Sequence, residues 1–399
     1  QDEGRGLRSV ELTLLQSGNR QNLVSEIYAP TWFWQQGEQQ RSIGFSAETS
    51  FSEGALSEGE FWLEVTARDQ PNWWLWSRET FERRTFILDL TPPQIEVLSG
   101  QHYIRQGGSE AIRYRVSEDT VASGVQVGER VFRGASLPEQ GVEGSLCLFA
   151  LGHDQSPETS MWLWAEDAAG NRSRVSFWKK AFPVRFRSRR IPLSEPLIDK
   201  VVMEISDRTN QFAREDTPLA TFLKINGPLR QINHQQIEKI SHDSVPRLLW
   251  GQAFLQLSNS QVESAFADHR DYYYQDKKVD EQTHLGFDLA SVANSPVECG
   301  NDGIVIYADY LGIYGNCVLV DHGLGLLSLY GHLSQIEVRK GQPVERGQIL
   351  GRTGQTGLAG GDHLHFSIIL QGVQVNPLEW WDQRWVERHV LSRITNRSR

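Results

Sequence analysis

The sequence predicts a mainly β, multidomain chain: two tandem β-sandwiches, a helical connector, and a C-terminal antiparallel sheet that is barrel-like. Three observations predict this. The 399 residues exceed what one hydrophobic core usually serves and argue for two to four domains. Short runs alternating apolar and polar residues, separated by Gly, Ser, Asn and Pro, fill the first 185 residues and return after 262. Between these stretches the apolar spacing lengthens to that of a helix.

Composition narrows the function classes. With 39% hydrophobic and 23% charged residues the chain is ordinary globular material. A net charge of -10 argues against a nucleic-acid partner, which a basic patch would serve. The basic cluster "RFRSRR", Arg185 to Arg190, reads as a solvated linker face. No apolar run is long enough for a membrane span, and the first residues lack the apolar stretch of a signal peptide. Cys147, Cys299 and Cys317 are too few for a disulfide scaffold and read as free buried thiols.

Within the first 185 residues, "SVELTLL", "FWLEVTA", "TFILDL", "AIRYRV" and "MWLWAED" are the strand candidates. "LEVTARDQPNWW", from Leu63, is echoed by "LWAEDAAGNRS", from Leu163, so the unit is present twice. The stretch "TFILDLTPPQIEV" resembles the junction between tandem bacterial immunoglobulin-like domains, where prolines remove ladder donors and stiffen the join. This sets immunoglobulin-like β-sandwiches at 1–92 and 93–185. Trp73, Trp74 and Trp76 are read as core and edge packing rather than as a glycan platform.

Residues 186–262 are expected to form a mainly helical connector. Leu219, Phe222, Leu223, Ile225, Leu229, Ile232 and Ile237 recur at helical spacing, and Gly227 with Pro228 should split the segment into two short helices. Residues 263–399 bring back short strands with glycines at nearly every turn. The end, "NPLEWWDQRWVERHVLSRI", reads as a terminal helix on that sheet.

Chemistry concentrates in the histidines of this last region. In "GLAGGDHLHFSIIL", a strand would project His363 and His365 to one face and Leu364 and Phe366 to the other. In "HLGFD", read as a strand, His284, Gly286 and Asp288 share a face. An imidazole and a carboxylate with only glycine between them suit a divalent metal, and one histidine of "HLH" would complete a His2Asp site. Zinc accepts that donor set, and three protein ligands leave the fourth position open, as in catalytic sites. His332 in "SLYGHLS" follows a strand in which Ser328 and Tyr330 share its face, which brings a further imidazole toward the same cavity. A metal that lowers the pKa of water to about 7, with two imidazoles to move protons, is the inventory for amide hydrolysis. The residues alone leave open which member of "HLH" binds the metal.

Three motifs in order, "HLGFD", "SLYGHLS" and "GDHLHF", resemble the lysostaphin-type (LytM-like) zinc metallopeptidases, which cleave peptide cross-links of bacterial peptidoglycan. The resemblance covers about residues 263–385. It implies that His284, Asp288 and His365 hold Zn2+ and that His332 and His363 are the unliganded catalytic pair. Tyr330 is a candidate pocket residue, His322 is expected to be structural, and His269 to be a surface residue. The implied activity is a zinc endopeptidase acting on peptidoglycan peptide stems through metal-activated water, exported to the periplasm or cell envelope. The alternative is a catalytically silent activator or scaffold for cell-wall amidases, with a cell-envelope protein partner bound through the β modules. A wall-binding protein working through its first module, and a latent enzyme whose connector or β module covers the cleft, are the other readings.

Overall fold

The computed structural model describes residues 6–30, 56–70 and 78–394; Trp73, Trp74 and Trp76 lie outside them. The chain divides into two compact units, Gln1–Pro92 with Ala168–Asn171, and Pro93–Asp167 with Arg172–Arg399. The first unit holds an antiparallel sheet of β1 (Leu7–Gln16), β2 (Asn19–Ile27), β3 (Gly59–Asp69) and β4 (Glu79–Leu88), in the order β2-β1-β3-β4. Ser17 and Gly18, both at positive φ, make the two-residue turn whose twist matches a hairpin.

The second unit begins with two facing four-stranded sheets. Its strands are β5 (Ile95–Val97), β6 (His102–Arg105), β7 (Ser109–Val116), β8 (Thr120–Val127), β9 (Arg130–Arg133), β10 (Ala135–Ser136), β11 (Ser145–Ala150), β12 (Met161–Asp167), β13 (Arg172–Val175) and β14 (Lys179–Phe182). One sheet runs β10-β11-β7-β5 and the other β13-β12-β8-β9, with β6 and β14 paired in parallel beside them. Alternation buries Ile112, Tyr114, Phe132, Phe149 and Leu163 between the layers. The Tyr114 hydroxyl meets Ser123 Oγ at 2.9 Å, so the polar end of that ring is satisfied.

The basic cluster is solvated as expected, with Arg185, Arg187 and Arg190 exposed, but it is more than a linker. Its residues enter β15 (Ser188–Pro192), which pairs in parallel with β17 (Asp268–Tyr274). Arg187 donates two hydrogen bonds to the buried Asp268 carboxylate, Arg189 donates to the Glu263 carbonyl, and Arg190 lies over the Tyr273 ring. An extended segment at a sheet edge satisfies its backbone by adding a strand, a non-local pairing that composition does not reveal.

Three helices follow: α1 (Glu195–Arg208), α2 (Pro218–Lys224) and α3 (Arg230–Ser241). Thr217 caps α2 by accepting from the Ala220 amide, with Pro218 at the first helical position. The expected break at Gly227 and Pro228 is instead a π-helical turn, Ile225–Leu229, that carries α2 into α3. Pro228 has no N–H to donate, and widening the turn lets the chain pass it, while Arg230 Nε takes the Asn226 carbonyl at 2.9 Å.

The remaining strands are β16 (Gln261–Ser264), β18 (Lys277–His284), β19 (Phe287–Ala290), β20 (Pro296–Glu298), β21 (Gly303–Tyr310), β22 (Asn316–Asp321), β23 (Leu326–Leu333), β24 (Gln335–Ile336), β25 (Pro343–Val344), β26 (Ile349–Arg352), β27 (Leu364–Leu370) and β28 (Val373–Val375). The main sheet is antiparallel, β16-β19-β27-β23-β22-β21-β25, with β28 also on β27. It is open rather than a closed barrel. Pro343 stands in the edge strand β25, where a missing donor is tolerated. Each face already has its own cover, so no closure is required. Phe287, Val318, Val320, Tyr330, Phe366 and Ile368 belong to one core, and Leu319, Leu327, Leu329 and Ile369 pack against Ile198, Val201, Ile205, Phe222 and Ile237 of the helices. Cys147, Cys299 and Cys317 are free and buried.

The C-terminal segment is not one helix. Asp382, in extended conformation, separates α4 (Pro377–Trp381) from α5 (Gln383–Val386), and a π turn leads to α6 (Ser392–Ile394). Trp381 packs on Phe287 and Phe366 of the sheet, but the segment also grips the sandwich strand β7. There Glu379 Oε2 accepts from the Ser109 amide and hydroxyl, and His389 Nδ1 meets Glu110 Oε2 at 2.7 Å.

Burial pushes the Glu379 carboxyl up to about 7 from 4.5, against the Ser109 hydrogen bonds. The folded state therefore binds this proton more tightly than the unfolded chain. The stability it contributes is full below pH 4.5 and is lost as pH rises through 7. Glu379→Gln should flatten this fall, raising stability at pH 8 relative to wild type by up to roughly 3 kcal/mol. Thermal unfolding of both proteins from pH 5 to 8 checks it.

Candidate metal centre

The residues of "HLGFD" reach the site from two different sheets. β18 ends at His284, the chain breaks at Leu285 and Gly286, and β19 begins at Phe287. The single-strand reading is thus corrected: a sharp step, rather than alternation, turns His284 and Asp288 toward each other. Glycine is required at that step because a Cβ on Gly286 would stand 2.5 Å from Ser367 Oγ and 2.6 Å from both His365 Nε2 and the Phe366 carbonyl. The "HLH" reading follows the strand rule. Leu364 and Phe366 enter the core, while Asp288 pairs in register with His365.

His284 Nε2, Asp288 Oδ1 and His365 Nδ1 converge, with separations of 2.9, 3.0 and 3.1 Å. Their outer contacts assign the protons. His284 Nδ1 faces the Ala265 carbonyl at 3.0 Å, which only accepts, so the N–H lies there and Nε2 carries a lone pair. The Ser367 hydroxyl donates to the Leu285 carbonyl and so accepts from His365 Nε2 at 2.9 Å, leaving a lone pair on His365 Nδ1. Three acceptor atoms therefore point at one another. Ligand atoms 2.0–2.1 Å from a tetrahedral zinc lie about 3.3 Å apart, so the donor set and its spacing both fit a bound cation. These three residues can together hold a metal ion.

His363 and His332 flank the cluster. Their ring centroids are 4.8 Å apart, and His363 Nε2 lies 3.6 Å from Asp288 Oδ1. Each Nδ1 donates to a backbone carbonyl, that of Thr356 for His332 and Gly361 for His363, which leaves the lone pair on Nε2. Burial lowers His363, but the Asp288 hydrogen bond and charge outweigh it and the pKa is raised. Burial holds His332 well below the usual histidine range, helped by its histidine neighbours. Burial raises the Asp288 carboxyl, but the His284, His363 and His365 contacts prevail and keep it well below the usual range.

Tyr330 is not among these residues. It sits opposite Phe366 on the core face of β23, and its hydroxyl accepts from the Gly300 amide at 2.7 Å and from Ser328 at 3.0 Å. Strict alternation would send His332 to that same face. His332 instead has φ of +62°, a left-handed kink that returns the imidazole to the metal side. Ser328 likewise faces inward, where His322 Nε2 meets it at 2.7 Å and His322 Nδ1 meets the Asp302 carbonyl. His322 is fully buried in that network. His269 is partly exposed, beside Asp271 and Glu281.

Sequence reasoning missed Arg270. Its Nη2 donates to Asp288 Oδ2 at 2.6 Å, from the strand that pairs with β18 so that Asp268 stands opposite His284. No motif signals it, because only strand register brings it there. The connector's part was also hidden. Lys200 of α1 donates to Gln355 Oε1 and the Ala359 carbonyl, and Glu204 Oε1 accepts from the Gly357 amide at 2.6 Å. These contacts clasp the loop 354–361 that supplies the His332 and His363 carbonyl partners.

Residues 282–377 match the family model described as Peptidase family M23. Over 96 residues the chain is 41% identical to peptidoglycan DD-endopeptidase ShyA of Vibrio cholerae, covering 24% of this chain and 22% of that protein. Over 95 residues it is 37% identical to DD-carboxypeptidase/endopeptidase Mpg of Neisseria gonorrhoeae, with the same shares. It is 39% identical over 95 residues to murein hydrolase activator EnvC of Escherichia coli, covering 24% and 23%. The chain thus spans about a fifth of the length of the curated relatives it matches, 22% for ShyA. A solved structure, a putative peptidase M23 from Pseudomonas aeruginosa, is similar at 21% identity over 70% of this chain and 94% of that one, with a TM-score of 0.45. Residues 282–377 of this chain are a peptidase family M23 domain.

Proposed function

We propose that the chain is a zinc-dependent endopeptidase that hydrolyses peptide cross-links of bacterial peptidoglycan in the cell envelope. The observation that carries this reading is the convergence of three lone pairs from His284, Asp288 and His365, with two further imidazoles beside them. In this assignment His284, Asp288 and His365 hold Zn2+. A zinc ion there supplies a Lewis acid for a peptide carbonyl and lowers the pKa of water to about 7.

The chain's own groups do the rest. His332 and His363 present Nε2, their Nδ1 protons being fixed on backbone carbonyls. One Nε2 of the pair accepts the proton of the attacking water and returns it to the leaving amine, while the other, when protonated, donates a hydrogen bond to the oxyanion that develops on the substrate carbonyl. The site side chains are only 4% to 12% exposed at His284, Asp288, His363 and His365, so their charges act with little solvent screening. The similarity to proteins named peptidoglycan DD-endopeptidases supports the substrate class. Among the described residues no helix is long and apolar enough to cross a membrane. The EnvC match favours a second reading, an activator of the same fold that turns over no substrate. We assign the division at 92, 185 and 262 to two β modules, a connector and the peptidase. The β modules are the surface for an envelope partner.

Purified protein incubated with sacculi should release cross-linked peptide products, lose this activity on chelation, and regain it with zinc. Bound zinc without turnover, together with a cell-wall amidase recovered by pull-down, would support the activator reading instead. His363→Ala should retain zinc and lose at least about 100-fold in rate, whereas His284→Ala should lose the metal, as metal analysis of each variant will show. Gly286→Ala should weaken zinc binding by displacing His365 and cost about 1–3 kcal/mol of stability, read by zinc titration and chemical unfolding.

A further inference from the structure

Arg270 calls for an explanation that stability does not supply. Its guanidinium is only 16% exposed and pairs with Asp288, itself 12% exposed. Removing two charges from water costs about as much as a buried pair returns, and the other contacts of Asp288 lie with the candidate metal ligands rather than with the core. Arg270 Nε is buried with no hydrogen-bond partner among the described residues, which adds a further penalty. A hydrophobic pair would serve packing better.

The geometry divides the labour of the Asp288 carboxylate between its two oxygens. Oδ1 faces His284 Nε2 and His365 Nδ1 at 2.9 and 3.0 Å, while Oδ2 is taken by Arg270 Nη2 at 2.6 Å. Arg270 is anchored for this task, since β17 is held by β15 on one side and by β18 on the other. We propose that Arg270 is a positioning residue that reserves Oδ2, so that Asp288 offers a metal one oxygen only. A carboxylate free to turn would offer both oxygens and fill a position that a substrate or water must use. The inference rests on the zinc reading above and adds to it a reason why a zinc ion held there would keep a coordination position open.

The test uses the full chain loaded with Co2+, whose visible absorption is strong in four-coordinate and weak in higher-coordinate sites, and a competition titration of Zn2+ against a chromophoric chelator. Arg270→Ala should lose most of the wild-type Co2+ band intensity and bind Zn2+ roughly 10- to 100-fold more weakly. Arg270→Lys, which keeps one donor and the charge, should recover part of both. An unchanged Co2+ spectrum with unchanged Zn2+ affinity in Arg270→Ala overturns the proposal and leaves the zinc reading standing. Should Arg270→Ala fail to fold, Arg270→Gln decides by the same two measurements. A wild type that takes up neither ion overturns the zinc reading and this proposal with it.

Discussion

Lone pairs repel, and three of them meeting at about 3 Å in a buried pocket need a positive charge among them. That electrostatic demand at His284, Asp288 and His365 is the constraint around which the C-terminal part is arranged. It exists only because the opposite nitrogen of each imidazole is committed elsewhere, to the Ala265 carbonyl and to Ser367 Oγ. Rotating either ring would trade an acceptor for a donor and dissolve the demand. The same device recurs at His332 and His363, whose Nδ1 protons are fixed by carbonyls of one loop region. Four tautomers are thus set by main-chain or hydroxyl groups, three of which, on Ala265, Thr356 and Ser367, lie outside the motifs.

Such fixing requires a rigid platform. The central strands β22, β23 and β27 are buried along nearly their whole length, with aromatic and aliphatic side chains on one face and helices on the other. A sheet covered on both sides has little freedom to shear, so His365 and Asp288 hold their register. Departures from regularity fall beside the candidate site: the step at Gly286 and the left-handed residue His332. Strain of the kind His332 carries persists only when the surroundings over-determine it.

Much of this was legible in the sequence, and the illegible parts share a cause. Alternation placed Leu364, His365 and Phe366 correctly because β27 is regular there, and the bridge from His363 to Gly354 keeps the backbone extended one residue further. It failed for Tyr330 because one positive φ at His332 reverses the face downstream of it, and nothing in "SLYGHLS" announces that dihedral. "HLGFD" named the right residues for the wrong geometric reason. Helical spacing found α2 and α3, yet not the π turn that spares them a break. Arg270 and the Ala265 carbonyl escaped because their roles depend on the register of the β17–β18 hairpin, and Ser367 because its donation to the Leu285 carbonyl joins segments 82 residues apart.

The clasp of α1 on loop 354–361 bears on where the working unit begins. Glu204 and Lys200 lie some 150 residues before the amides and carbonyls they secure. The Ala265 carbonyl and the Arg270 guanidinium also fall ahead of residue 282, where similarity to the family starts. A fragment trimmed to the recognisable homology would keep all five candidate residues but forfeit the Ala265 carbonyl, the Arg270 guanidinium and the α1 clasp. Sequence kinship and mechanical completeness have different boundaries in this molecule, and the second lies at least as far back as α1.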